Sequence, residues 1–286
     1  TDCIGKVLEV HSDHSTIVRL GEGVDRERQL QPQAMERTLA CLRGYAEIAK
    51  KAGVACESVI CVATSQARDS SNGADFFDRV ARETGFRFRI LSGDDEAKYT
   101  FLGALLPGMQ PDQTAVIDIG GGSTEIITWN AGTPVGQSLD IGSVRYTERF
   151  LKTDPVTDIE FWACQEAIDG ELARLQKWRA QIGKRELVGV AGTVTTLAAW
   201  QLELPKFDAA KLDGLELGRG DVHRMVEELK WRSVKERRGL VGIEEKRADV
   251  LLAGAMILWR CMEVLNFHRC RVSTRGLRFG ALSITS

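Results

Sequence analysis

The chain lacks most of the signatures by which a sequence declares its chemistry. It has no G-x-S-x-G elbow and no H-E-x-x-H, which excludes the corresponding serine hydrolases and zincins. It has no G-x-x-x-x-G-K-[ST] and no strand-borne G-x-G-x-x-G, so neither a Walker loop nor a dinucleotide fingerprint is present. The four histidines (His11, His14, His223, His268) show no metal-ligand spacing. The seven cysteines are odd in number and contain no C-x-x-C pair, and several sit in apolar, helix-like runs. They read as reduced thiols packed as small hydrophobes, and with no signal peptide evident the expectation is a cytoplasmic protein. A net charge of −2 leaves no basic excess for a nucleic-acid polymer. The longest apolar run, around Val250 to Leu258, is too short to span a bilayer.

What is present suits two domains: 286 residues, 43% hydrophobic and 27% charged, enough for sizeable cores. Apolar periodicity predicts strands in TDCIGKVLEV and STIVRL, then a polar connection, then a helix in AMERTLACLRGYAEIAKKAG stopped by Gly53. ESVICVAT and FRFRILS read as strands, separated by a loop and a helix ending near Gly85. GDDEAKYTFLGALL reads as a helix with its acids in the first turn, where the helix dipole favours them. In the second half TAVIDIGGGSTEIITW reads as a hairpin, and TPVGQSLDIGSVRYTERF as strand, glycine turn and helix. PVTDIEFWACQEAIDGELARLQKW reads as one long helix, and ELVGVAGTVTTLAAWQL as strand, turn and helix. GRGDVHRMVEELKW, SVKERRGL and EKRADVLLAGAMILWRCMEVL read as helices, the last buried. RCRVSTRGLRFGALSI closes with a strand, a turn and a helix. The alternation specifies an α/β fold.

Two glycine turns follow apolar strands: Asp118-Ile-Gly-Gly-Gly-Ser-Thr-Glu125, and Gly189-Val-Ala-Gly192-Thr193. Without Cβ atoms, glycines let backbone N–H groups line a concavity for phosphate oxygens, and a following helix adds its positive end. One such turn is an ordinary tight turn more often than a site; two in one chain favour phosphate. Asp118, at a strand end, and Glu125 are suited to Mg²⁺, a hard ion that takes oxygen ligands. Asp94, Asp95 and Glu96 open a helix, and composition does not choose among them. Arg68 fits a phosphate clamp or a surface pair with Asp69 equally well. Lys235, Arg237, Arg238, Lys246 and Arg247, interrupted by glutamates, read as a solvated face of mixed charge.

Taken in order, these stretches resemble the exopolyphosphatase and guanosine pentaphosphate phosphohydrolase (Ppx/GppA) family. VATSQARDSSNGADF is similar to its A-T-S/A-x-x-R-D/E-A-x-N stretch, and ILSGDDEAKYTFLGAL to I-S-G-x-E-E-A-x-x-x-x-x-G. VIDIGGGSTEII matches its phosphate turn nearly letter for letter. IVRLGEGV, GVAGTVTTLAA, EKRADVLLAGAMIL and VSTRGLRFGAL complete the series. The resemblance implies two actin-like domains (the ribonuclease H-like, sugar kinase/Hsp70/actin superfamily) around a central cleft. The expected division is 1–112, 113–270 and a closing 271–286 whose helix returns to the first domain. It implies Mg²⁺- or Mn²⁺-dependent removal of the terminal phosphate of polyphosphate. The alternatives are guanosine pentaphosphate (pppGpp) as substrate, or non-catalytic binding of polyphosphate or nucleotide. A homodimer, with no nucleic-acid polymer and no membrane as partner, completes the expectation.

Carried over by position, Glu96 matches the water-activating base, which resolves the tie among the three acids. Asp118 and Glu125 match residues placing metal and water, so Glu125 is expected to serve both catalysis and metal. Gly120, Gly121, Gly122 and Ser123 match the phosphate turn, Arg68 a phosphate contact, and Gly192 and Thr193 a second phosphate turn. The family's opening I-D-x-G-S-N-S/T has no counterpart here, and the chain reads as starting just after it. Phe279 stands where the family pattern has Glu. The extra helical domains of longer members have no counterpart either.

Overall fold

The structure is a computed structural model and describes residues 10, 12–14 and 16–282. The described residues divide into two compact units, a smaller one up to residue 96 and a larger one from residue 97. The boundary between them falls inside the helix Gly93–Ala104.

In the smaller unit β1 (Cys61–Ala63) pairs in parallel with β2 (Phe88–Ile90). The helices Pro32–Lys51 and Gly73–Thr84 accompany them, over a core of Leu30, Leu39, Phe76, Phe77, Val80 and Phe86. Pro32 opens the first helix at a position whose N–H needs no partner. Gly85 ends the second at φ 79°, a left-handed cap that glycine adopts without strain. The strand expected in STIVRL does not form. Arg19 turns the chain at φ 50°, and the Val18 carbonyl accepts from Arg37 Nε at 3.2 Å instead of from a strand neighbour. The strand expected in TDCIGKVLEV lies, except for Val10, outside the described residues.

The larger unit holds a sheet in the order β5-β4-β3-β6-β8-β7. Its strands are β3 (Thr114–Ile119), β4 (Thr124–Asn130), β5 (Thr133–Leu139), β6 (Glu186–Val190), β7 (Glu216–Gly218) and β8 (Arg269–Val272). β3, β6 and β8 run parallel, while β4, β5 and β7 are antiparallel to their neighbours. β3 is apolar on both faces because both are covered. Ala115, Ile117 and Ile119 enter the main core with the helices Asp158–Leu172, Arg219–Trp231 and Leu251–Val264. Val116 faces a second core with Phe101, Leu102 and Ala104 of the Gly93–Ala104 helix.

The long helix expected from Pro155 to Trp178 is three pieces: Asp158–Leu172, a 3₁₀ turn Ala173–Leu175, and Gln176–Ile182. β7 and the helical turns Val24–Glu27 and Ala209–Leu212 were not foreseen, being too short to show a period. The closing helix Leu277–Gly280 packs on the 93–104 helix, at a contact permitted only by glycines. A Cβ on Gly103 would lie 1.9 Å from the Gly276 carbonyl oxygen, and one on Gly280 would lie 1.8 Å from that of Tyr99. Cys164, Cys261 and Cys270 are buried, and burial pushes the thiols of Cys164 and Cys270 up to about 12, as befits inert packing groups. Among the described residues no helix is long and apolar enough to cross a membrane.

Candidate functional site

The carboxyl ends of the parallel strands β3 and β6 carry the two glycine turns. This is the end of an α/β sheet at which ligands bind. In the first turn, Gly120 N donates to the Ser123 carbonyl at 2.9 Å, closing the β3–β4 connection. The Gly120 carbonyl accepts from Ser143 N at 3.0 Å, and the Gly121 carbonyl from Val144 N at 2.9 Å and Arg145 N at 3.0 Å. These donors are the first amides of the helix Ser143–Phe150. In a planar trans peptide the C=O and the next N–H point opposite ways. Fixing the carbonyls of Gly120 and Gly121 on the helix therefore aims the amides of Gly121 and Gly122 away from it. None of the three glycines has a positive φ. Their need is closeness: Gly142 backs directly against the turn, and a Cβ there would lie 2.3 Å from the Gly121 oxygen.

Asp118 and Glu125 are register partners across β3 and β4, so both side chains emerge on one face beside the turn. Ser138 Oγ, on β5, donates to Glu125 Oε1 at 2.9 Å. Among the described residues no cluster of three or more His, Cys, Asp or Glu side chains could hold a metal. A pair of carboxylates beside a glycine turn nevertheless fits Mg²⁺, which binds through one or two carboxylates plus substrate phosphates and keeps its waters. Asp118 and Glu125 are the residues that would hold it.

The second turn begins where β6 pairs with β3, Val190 opposite Asp118. Ala191, at φ 65°, bends the chain straight into the helix Ala191–Gln201. A non-glycine residue in that conformation is held by its surroundings. Thr193 is 5% exposed, and its hydroxyl lies against Gly254 of the central helix, where a Cβ would approach it to 2.5 Å. Gly192 is covered by Arg247: a Cβ on Gly192 would fall 1.9 Å from Arg247 Nη1. Arg247 Nε is held by Glu244 at 2.9 Å. The turn thus presents a guanidinium at a helix N-terminus, an arrangement suited to an anion.

Arg68 and Glu96 belong to the smaller unit. Arg68 ends the helical turn Ser65–Arg68 after β1. Its Nη1 donates to the Leu91 carbonyl at 2.8 Å and reaches Glu96 Oε2 at 3.3 Å, while Nε lies 3.9 Å from Asp69. The local pair with Asp69 is present, at the long end of an ion pair. The three helix-opening acids separate cleanly: Asp95 is taken by Arg89 at 2.7 Å, Asp94 is exposed, and Glu96, its side chain 17% exposed, is the one facing Arg68.

The profile of the Ppx/GppA phosphatase family matches residues 4–284. The chain belongs to that family. Exopolyphosphatase 2 of Mycobacterium tuberculosis is 34% identical over 260 residues, covering 89% of this chain and 81% of that one. A bifunctional 3-dehydroquinate synthase/phosphatase of Fusobacterium nucleatum is 32% identical over 280 residues; the match covers 96% of this chain but only 41% of that longer protein. The crystal structure of the Aquifex aeolicus Ppx/GppA family member superposes with a TM-score of 0.78 at 31% identity, covering 94% of this chain and 87% of that one. The expected α/β class holds, and the superposition gives the chain the fold of a Ppx/GppA member.

Three residues of the candidate site are not assigned to it by the sequence. Gly142 and Ser138 act on the turn across a hairpin, and no local spacing announces them. Arg247 reads in the sequence as part of a solvated basic face, and Arg237 of the same basic run is in fact 2% exposed. Arg237 Nε donates to the Leu229 carbonyl at 3.0 Å; burial pulls its pKa below the ordinary arginine value, opposed by Asp154 and Asp249. Phe279, the departure from the Ppx/GppA pattern, packs under the Arg275 guanidinium at 5.4 Å.

Proposed function

We propose that this chain is an exopolyphosphatase, cleaving the terminal phosphoanhydride of inorganic polyphosphate. The observation that carries the reading is the Gly120–Ser123 turn, its carbonyls tied to helix amides and its flanks occupied by Asp118 and Glu125. Membership of the Ppx/GppA phosphatase family supports the same reaction class. Glu96 orients a water and accepts its proton as the water oxygen bonds to the terminal phosphorus. The bridging P–O bond breaks, and the electron pair leaves on the shortened polyphosphate. The amides of Gly121 and Gly122 stabilise charge on the transferred phosphoryl group, and Arg68 and Arg247 serve as cationic clamps on the chain. When bound through Asp118 and Glu125, Mg²⁺ (or Mn²⁺) supplies charge neutralisation to the phosphate oxygens. A homodimer in the cytoplasm is part of the proposal.

The test is orthophosphate release from polyphosphate of defined length and from pppGpp, each with and without Mg²⁺, using Glu96→Gln as control. Release from polyphosphate that collapses in Glu96→Gln supports the reading. Faster release from pppGpp would reassign the substrate, and binding of polyphosphate without any release would make the chain a binder.

A further inference from the structure

Beneath the first glycine turn lies the corner joining β5 to the 143–150 helix, residues 138–145. It meets the turn along its length. Ser138 Oγ donates to Glu125 Oε1 at 2.9 Å, and the Ile141 carbonyl accepts from Thr124 Oγ1 at 2.6 Å. Gly142 fits against the backbone of Gly121 and Gly122, where a Cβ would come within 2.3 Å and 2.5 Å. Ser143 grips the Gly120 carbonyl with its amide at 3.0 Å and its hydroxyl at 3.2 Å. Val144 and Arg145 add their amides on the Gly121 carbonyl.

We infer that the Ser138–Arg145 corner is a positioning element for hydrolysis: it sets the direction of the turn's anion-binding amides and fixes the orientation of Glu125. The inference rests on the reading of the turn as the phosphate site. The Gly120 amide is spent on Ser123, so the amides that the corner aims outward are those of Gly121 and Gly122. Each has a carbonyl behind it that is polarised by donors at the positive end of a helix, and chained hydrogen bonds strengthen one another. The donor pair is thereby strengthened as well as aimed. Ser138 works on the other component. By donating to Oε1 it directs one oxygen of the carboxylate before substrate arrives.

The two halves of the corner make separable predictions. Ser138→Ala leaves the turn intact and removes the hydroxyl that orients Glu125 Oε1, so kcat falls about 10-fold with little change in KM, the usual scale for losing a partner that orients a ligating or catalytic carboxylate. Ser138→Thr retains the hydroxyl on a strand that accepts β-branched residues, and restores the rate. Gly142→Ala pushes the turn off its helix, so KM for polyphosphate rises about 10-fold or more and binding of inorganic phosphate, measured by calorimetry, weakens in parallel. The experiment is to measure kcat, KM, phosphate affinity and thermal midpoint on the full chain for the three variants. Wild-type kinetics in Ser138→Ala, or undiminished phosphate binding by folded Gly142→Ala, overturns the inference while leaving the phosphate site standing. If Gly142→Ala does not fold, the Ser138→Ala and Ser138→Thr pair decides alone. A wild-type protein that neither hydrolyses phosphoanhydrides nor binds inorganic phosphate sinks the site reading itself.

Discussion

The Arg68 guanidinium lies 3.3 Å from the Glu96 carboxylate and is itself anchored on the Leu91 carbonyl. A base that must align a water needs a fixed direction, and a guanidinium anchored to backbone provides one. Glu96→Gln keeps the shape and the hydrogen bond but cannot take a proton. Its kcat on polyphosphate should fall by roughly 10²–10⁴-fold, the range for a lost general base. Its thermal midpoint should stay close to wild type. Retention of most of the rate would remove Glu96 from the mechanism.

Much of this was legible in the sequence, for reasons that differ by element. β3 reads as a strand because AVIDI is apolar on both faces, and it lies between two cores. The hairpin around Gly120–Gly122 was readable because its glycines fall between two such strands. Glu96 could not be told from Asp94 and Asp95 by composition. The choice depends on Arg89 capturing Asp95 and Arg68 facing Glu96, contacts made across loops. Arg237 and Arg247 sit in one basic run yet do opposite things, one buried and one laid over Gly192. Burial of that kind depends on what the fold brings overhead, and a charge pattern does not contain it. The failed strand at STIVRL makes the same point: its alternation is good, but Arg19 turns the chain and Arg37 takes its carbonyl.

Gly192→Ala tests the second turn. The new Cβ would fall 1.9 Å from Arg247 Nη1 and 2.2 Å from Cζ. The obstructing atoms end a flexible side chain, so the guanidinium swings away and the fold persists. Thermal stability should change little, whereas KM for polyphosphate should rise by about 10- to 100-fold, in line with losing a charge-assisted contact of about 1.5–3 kcal/mol. Arg247→Ala should reproduce the same change. Unaltered KM in both variants would exclude this turn from substrate binding.

Two helical glycines of the larger unit should respond in opposite directions. Gly170 has nothing within 4 Å of a built Cβ, so Gly170→Ala should stabilise the protein by about 0.5–1 kcal/mol. Gly103 faces the Gly276 carbonyl, where a Cβ would sit at 1.9 Å. Backbone cannot swing aside as a side chain does, so Gly103→Ala should cost about 3 kcal/mol and lower the thermal midpoint by about 10 °C. Calorimetry on both variants decides; a tolerated Gly103→Ala would mean that the closing helix does not pack as described.

The N-terminus of the 158–172 helix carries an acid-sensitive contribution to stability. Glu160 accepts from the amides of Lys152 at 3.0 Å, Thr153 at 3.1 Å and Thr157 at 3.1 Å, and from the hydroxyls of Thr153 and Thr157. Its own amide donates back to Thr157 Oγ1, completing a capping box. Burial opposes ionisation, but the Thr153 hydroxyl, the Thr157 amide and hydroxyl and the Lys152 amide outweigh it and hold the carboxyl at about 2 against an ordinary 4.5. Because the folded value is depressed, the unfolded chain takes up the proton first as pH falls. The stabilisation is therefore complete above pH 4.5 and drains away between 4.5 and about 2. Urea midpoints of wild type and Glu160→Gln should differ most at neutral pH and converge toward pH 3. A gap of constant size across that range would mean that the ionised carboxylate is not what holds this helix end.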